Sequence, residues 1–177
     1  MRTFLTLIVL LNSTTLFAQY KELSREKSHS FNKPHFSFVI AHTILPEGSG
    51  EGSQTYTIPS LGFDIEYFFN SRIGVGLHND IELKSYEVKQ DKDSYLKRAF
   101  PVLVTADFLY KVNPDLILFG GPGIEFEKEN NLPVVRMGVE YFVHSGEHLT
   151  FSPIITYDHR IKSFNSISIG IGIGFSF

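Results

Sequence analysis

The chain has 177 residues, enough for one domain, and sets 16 Lys plus Arg against 19 Asp plus Glu for a formal net charge of −3. That balance offers no basic footprint for nucleic acid, and none is expected as a partner. Cysteine is absent, which excludes disulfides, thiolate metal sites, thiol nucleophiles and a lipidated cysteine. With 42% hydrophobic residues the chain can bury a core, yet its mature part holds no apolar run of the roughly 18 residues that a transmembrane helix needs.

Residues 1–18 carry the three parts of a secretion signal: Arg2, the apolar stretch from Phe4 to Leu11, and the small-residue exit Leu16-Phe-Ala18 before Gln19. Cleavage is expected after Ala18. A membrane anchor is the weaker reading, because eight apolar residues span only about 12 Å as a helix. Residues 19–33 are polar and mixed in charge, with no apolar face to dock them, and read as a mobile N-terminal arm.

From Phe36 to the last residue the hydrophobic period is two, the period of strands. Eight segments follow it. The first spans about 35–45, with Phe36, Phe38 and Ile40 on one face, and the second about 55–69, with Leu61, Phe63, Ile65, Tyr67 and Phe69. The third spans about 72–86 and the fourth about 96–110, where Phe100, Val102, Val104, Ala106, Phe108 and Tyr110 share a face. The fifth, about 115–127, is broken by Gly120-Gly-Pro-Gly123, which demands a bulge or bend because Pro122 cannot donate to a ladder. The sixth and seventh span about 133–143 and 148–158. In the eighth, Ile167, Ile169, Ile171, Ile173, Phe175 and Phe177 alternate without exception with Ser and Gly.

Short connections carrying turn residues alternate with longer polar ones at 46–54, 87–94, 128–132 and 159–165. A soluble sandwich has no need for this asymmetry, whereas a membrane barrel has short turns on one side and longer loops on the other. Aromatics gather at the inferred strand ends: Phe36, Tyr67, Phe69, Phe108, Tyr110, Tyr141 and Phe177 at the short-turn side, and Tyr56, Tyr86, Tyr95, Phe126 and Tyr157 at the other. They would form two interfacial girdles. Gly62, Gly74, Gly76, Gly138, Gly170, Gly172 and Gly174 lie on the opposite face, as a tight interior requires. Asn79 falls on the lipid-facing phase, which a bulge would explain.

The closing ISIGIGIGFSF, preceded by seven alternating strands and a signal peptide, resembles the small eight-stranded bacterial outer-membrane β-barrels, the group that contains the OmpA membrane domain and OmpX. The resemblance covers residues 34–177 and is one of fold, not of function. It implies an all-β, eight-stranded antiparallel transmembrane up-and-down barrel. It also implies recognition of Ile173, Phe175 and Phe177 by the barrel-insertion machinery, with outer-membrane lipid around the wall.

On these phases the lumen receives Asp64, Glu66, His78, Asp80, Glu82, Lys84, Thr105, Asp107, Glu125, Glu127, Arg136, Glu140, Thr156 and Asp158. Nine carboxylates then face two clear cations. Paired around Arg136, they would plug the lumen; left in surplus, they would favour a cation. Eight strands leave room for little more than side chains. His42, His144-Ser145 and Asp158-His159 form no convincing catalytic triad, and His78 with Asp80 supplies too few ligands to specify a metal. No cofactor is expected. The leading expectation is a non-enzymatic structural or surface-interaction barrel whose four long loops meet an external partner. A narrow cation-favouring channel, a lipid-modifying enzyme and a soluble periplasmic ligand-binding barrel are the alternatives.

Overall fold

The computed structural model describes residues 33–48, 54–91, 94–128, 130–146 and 148–176. The signal, nearly all of the arm, and Phe177 lie outside them. The strands are β1 (Pro34–Gly48), β2 (Gln54–Phe68), β3 (Ile73–Glu82), β4 (Tyr86–Asp91), β5 (Ser94–Arg98), β6 (Val102–Lys111), β7 (Leu116–Phe126), β8 (Leu132–Tyr141), β9 (Val143–Ser145), β10 (Leu149–Arg160) and β11 (Asn165–Ser176). β9 pairs with β10 in the register that β8 keeps, so β8 and β9 run as one barrel strand past Phe142. β4 and β5 pair only with each other, as a two-stranded hairpin. The other strands form eight antiparallel staves, and the pairing of β11 with both β1 and β10 closes them into a barrel.

The register fixes the shape of that barrel. Stepping between cross-strand partners from Pro34 leads through Tyr67, Val75, Phe108, Gly120, Met137, Tyr157 and Ile167 to Ile44, ten residues along β1 from the start. A shear of that size on eight strands tilts each strand by about 40°. Ten tilted residues then cover roughly 25 Å, the height of an outer-membrane apolar band.

The start of β1, the end of β11 and the three short turns share one end of the barrel. Two of those turns use the same chemistry. Asn70 Oδ1 accepts the backbone N–H groups of Arg72 and Ile73, each at 2.9 Å. Asn113 Oδ1 accepts those of Asp115 and Leu116, at 2.9 and 2.8 Å. The third turn places Gly146 at φ +81°, where a side chain would be strained.

Three local expectations are corrected. The third and fourth predicted strands are not continuous to 86 and from 96. They stop at Glu82 and resume at Val102, with the β4–β5 hairpin between. Phe100 sits at φ 50°, which breaks the alternation: Phe100 faces outward while Arg98, expected beside it, is fully buried. The Gly120–Gly123 run contains no bulge, since Thr105 pairs with Gly123 and Phe108 with Gly120 in one register. The ladder simply lapses between those pairs, and a Cβ on Gly121 would overlap the Ala106 carbonyl oxygen. Asn79 also needs no bulge, because its Nδ2 donates to the Phe63 carbonyl at 3.0 Å within a regular pairing.

The outer wall is apolar. Ile40, Ile169 and Ile171 are 55%, 50% and 57% exposed, and Phe38, Phe63, Leu77, Val135, Met137 and Ile155 join them in a continuous belt. Soluble monomers rarely expose apolar patches beyond a few hundred Å². The belt is the lipid contact of a transmembrane barrel, and the soluble alternative with an apolar cavity is overturned by the polar interior. Phe69, Phe108, Tyr110, Tyr141 and Phe175 form the girdle at the short-turn end. At the other end Tyr86 and Tyr56 leave the girdle expected for them: Tyr86 is buried, and both join an apolar cap with Leu45, Ile58, Val88 and Phe164.

Inside, glycines make room for large side chains. A Cβ on Gly138 would overlap the Phe119 ring, and one on Gly174 would overlap His35. Phe68, Leu109, Ile117, Phe119 and Phe142 pack together as an apolar floor toward the short-turn end.

Candidate site: the ion networks of the lumen

Three groups of charged side chains lie between the cap and the floor. At the long-loop end, Arg160 from the last turn of β10 donates through Nε to Glu125, through Nη2 to Glu82 at 3.3 Å and through Nη1 to Ser166 Oγ at 2.8 Å. Arg98 lies 2.6 Å from Glu125 Oε1 and 3.8 Å from Glu127, and donates to the Asn130 carbonyl at 2.6 Å. Two guanidinium groups thus converge on Glu125, each through one nitrogen, while their other donors reach Glu82, Ser166 and the Asn130 carbonyl, a spread of partners that the several donors of Arg allow. The cap covers this pair of arginines. The Phe164 ring stands 4.3 Å from the Arg160 guanidinium carbon and edge-on to Tyr86, whose hydroxyl burial pushes well above its ordinary range.

At mid-height, Arg136 holds Asp158 bidentately at 2.7 and 3.0 Å and Asp80 at 2.6 Å. Beside it is a cavity of about 10 Å³ bounded by Asp64, His78, Asp80, Thr156 and Ser168, room for one water.

Toward the floor the cations are different. His78 lies between two carboxylates, with Nδ1 2.8 Å from Asp107 and Nε2 3.5 Å from Glu66. Thr105 donates to the same Asp107 oxygen at 2.5 Å. His35 places Nδ1 3.4 Å from the other Glu66 oxygen and Nε2 2.8 Å from Thr150 Oγ1. Glu140 is buried with Glu66, His78 and Asp64 as its electrostatic neighbours. Lys111 rests on the Phe68 ring at 3.8 Å.

Asp64, Glu66, His78, Asp80, Glu82, Asp107, Glu125, Arg136 and Glu140 therefore all point into the lumen, in these three groups rather than in one plug around Arg136. Lys84 does not: it is exposed on the break after β3. Four inward cationic or titratable groups escaped the sequence reading. Arg160 falls inside the predicted 159–165 connection, Arg98 shares the sequence phase of Phe100, and neither Lys111 nor His35 is marked by the alternation. With them the supposed surplus of acid shrinks, since Arg98, Arg136, Arg160 and Lys111 all lie inside. Ile173 and Phe175 face lipid on β11.

The histidines weighed for chemistry lie apart. His42 faces outward on β1 with Pro59 and Ile169 as cross-strand neighbours. His144 is 3.6 Å from Asp115 at the short-turn end, and His159 Nδ1 meets Asn165 Oδ1 at 2.7 Å at the long-loop end. Among the described residues no group of three His, Asp or Glu side chains is placed to hold a metal.

No protein-family model matches the chain, and no curated protein matches it in sequence. Solved structures do. The attachment invasion locus protein Ail of Yersinia pestis is similar with a TM-score of 0.58 at 16% identity, over 84% of this chain and 100% of that one. OprG of Pseudomonas aeruginosa gives 0.54 at 14% identity, over 85% and 99% of the two chains. The N-terminal β-barrel domain of Pseudomonas aeruginosa OprF gives 0.52 at 12% identity, over 81% and 97%. These likenesses fix the fold as that of the small outer-membrane β-barrels.

Proposed function

We propose that this chain is a non-enzymatic barrel of the bacterial outer membrane, with a sealed lumen that stabilises the wall and an outward end that meets partners. The observation that carries this reading is the filled interior. Arginine and histidine networks occupy it, buried apolar clusters lie toward both ends, and a cavity of about 10 Å³ beside Arg136 has room for no more than a water. A barrel with nothing to pass through it acts by its surface.

That surface consists of lipid-facing side chains, the hairpin β4–β5, and the connections within 46–54, 87–94, 128–132 and 159–165. The insertion machinery would read Ile173, Phe175 and Phe177 during assembly. Ail, whose name marks it as an attachment protein, supports a surface-interaction role by its likeness in fold. The arginines and Lys111 reduce the surplus of lumen acid on which the channel reading rests, and the Thr150–His35–Glu66 chain, a described hydroxyl, imidazole and carboxylate in one line, is buried in the lumen away from any lipid substrate.

Planar-bilayer recording at neutral pH tests the proposal. A quiet baseline is expected, and cation-selective unitary steps would overturn the sealed lumen. Replacement of His42 or His159 should leave the lipid A mass profile of the host cell unchanged; an altered profile would restore the enzyme.

A further inference from the structure

The two lumen histidines look alike in sequence and differ in what surrounds them. His35 has a carboxylate on one side and a hydroxyl on the other. A neutral ring satisfies both, because Nδ1–H can donate to Glu66 while Nε2 accepts the proton of Thr150. His78 has a carboxylate on each side, Asp107 at Nδ1 and Glu66 at Nε2. A neutral imidazole must turn one bare lone pair toward one of them. Only the doubly protonated ring presents an N–H to both, bonded to Asp107 at 2.8 Å and at ion-pair distance, 3.5 Å, from Glu66, and both partners are buried where an unmatched carboxylate is costly.

We propose that His78 is an imidazolium at neutral pH and the removable countercharge that keeps the short-turn half of the lumen dry. The charged and titratable groups that face it are His35 from β1, Asp64 and Glu66 from β2, Asp80 on its own strand β3, Asp107 and Lys111 from β6, and Arg136 and Glu140 from β8. β7 contributes the Phe119 ring, edge-on at 4.8 Å, which donates no charge. Arg136 is engaged by Asp80 and Asp158. Once alkali removes the His78 proton, Asp64, Glu66, Asp107 and Glu140 have Lys111 as their nearest uncommitted cation.

Water has a way to respond. The existing cavity touches His78 and Asp64, and Thr156, which also lines it, has a buried hydroxyl without a hydrogen-bond partner. Glu66 and Asp107 likewise carry buried oxygens that water could satisfy. Deprotonation should therefore hydrate the lumen from this cavity toward the floor. The guanidinium groups of Arg98 and Arg160 at the other end keep their protons throughout this range.

This inference rests on the sealed-lumen reading, which bilayer recording at pH 7 tests separately. Its own test uses the ¹⁵N-labelled barrel in lipid nanodiscs, with long-range ¹H–¹⁵N spectra of the imidazoles and amide exchange corrected for the intrinsic rate. At pH 7 His78 is expected to show two protonated nitrogens. As alkali discharges His78, protection in the short-turn halves of β1–β3 and β6 should fall at least tenfold, while amides around Arg160 keep theirs. Glu66→Gln, which gives Nε2 a donor instead of a charge, should render His78 neutral at pH 7 and remove the alkaline step. His78→Gln should be loosened already at pH 7, and His78→Gln with Glu66→Gln should regain protection. A neutral His78 ring in the native barrel at pH 7, or an alkaline step that survives Glu66→Gln, would overturn the proposal.

Discussion

The two halves of the lumen solve one problem, a polar interior inside a lipid-facing wall, with different cations. Toward the long loops, guanidinium forks from Arg98 and Arg160 clasp Glu82, Glu125 and Glu127 under an aromatic and aliphatic cap. Toward the short turns, above an apolar floor, His78 lies between two carboxylates and His35 between a carboxylate and a hydroxyl. Arginine is charged at every pH a cell meets and matches a carboxylate with two donors at once. Imidazole charge depends on its neighbours and on the solution. The contrast teaches that one continuous barrel can fill one half of its lumen with cations of fixed charge and the other with cations whose charge the surroundings decide.

The sharpest way to break this comparison is to remove an arginine. Arg160→Ala takes from Glu82 its guanidinium partner, leaves Glu125 with one instead of two, and should cost about 3–5 kcal/mol. Urea unfolding in detergent micelles measures it. Arg136→Ala should cost somewhat less, about 2–4 kcal/mol, since Asp80 borders the cavity and can recruit water; an unaltered midpoint would remove Arg136 from the seal. Gly138→Ala probes the floor. The added methyl overlaps Phe119 and should cost about 1–3 kcal/mol by overpacking, recovered in part by Phe119→Leu. The smallest effect is expected at the rim. Asn70→Ala gives up two turn hydrogen bonds to backbone and should shift stability by about 1 kcal/mol, with the lumen networks unchanged in amide protection.

Much of the barrel is legible in the chain because alternation reports the wall directly. Ser166 to Phe177 needs no other evidence, and the inward phase of Asp64, Glu66, His78 and Arg136 follows from the same period. What stayed hidden lies where the period lapses. The floor comes from apolar triplets, Tyr67-Phe68-Phe69, Phe108-Leu109-Tyr110 and Tyr141-Phe142-Val143, whose middle member turns inward while its neighbours meet lipid. Such triplets could have announced an apolar layer. Arg98 was hidden by Phe100, whose left-handed backbone reverses the face two residues away. Arg160 was hidden by the polar company of its neighbours, which made a strand end look like a loop. The pairing of each lumen charge was not legible at all, because partners such as Glu82 and Arg160 are 78 residues apart and meet only through closure.

The ten-residue offset with which the partner path returns to β1 carries a consequence for how such a chain can change. Ten is even, so the side-chain parity that begins at Pro34 is the parity that meets Ile44 at the seam. A single-residue deletion inside any stave would make the offset odd and set outward residues against inward ones along one whole seam. Length can therefore vary by one residue only in the connections, and within the staves changes must come in twos or be absorbed by a bulge. Closure acts as a parity check on the sequence, and it confines free variation to the outward loops and the hairpin where a surface protein would use it.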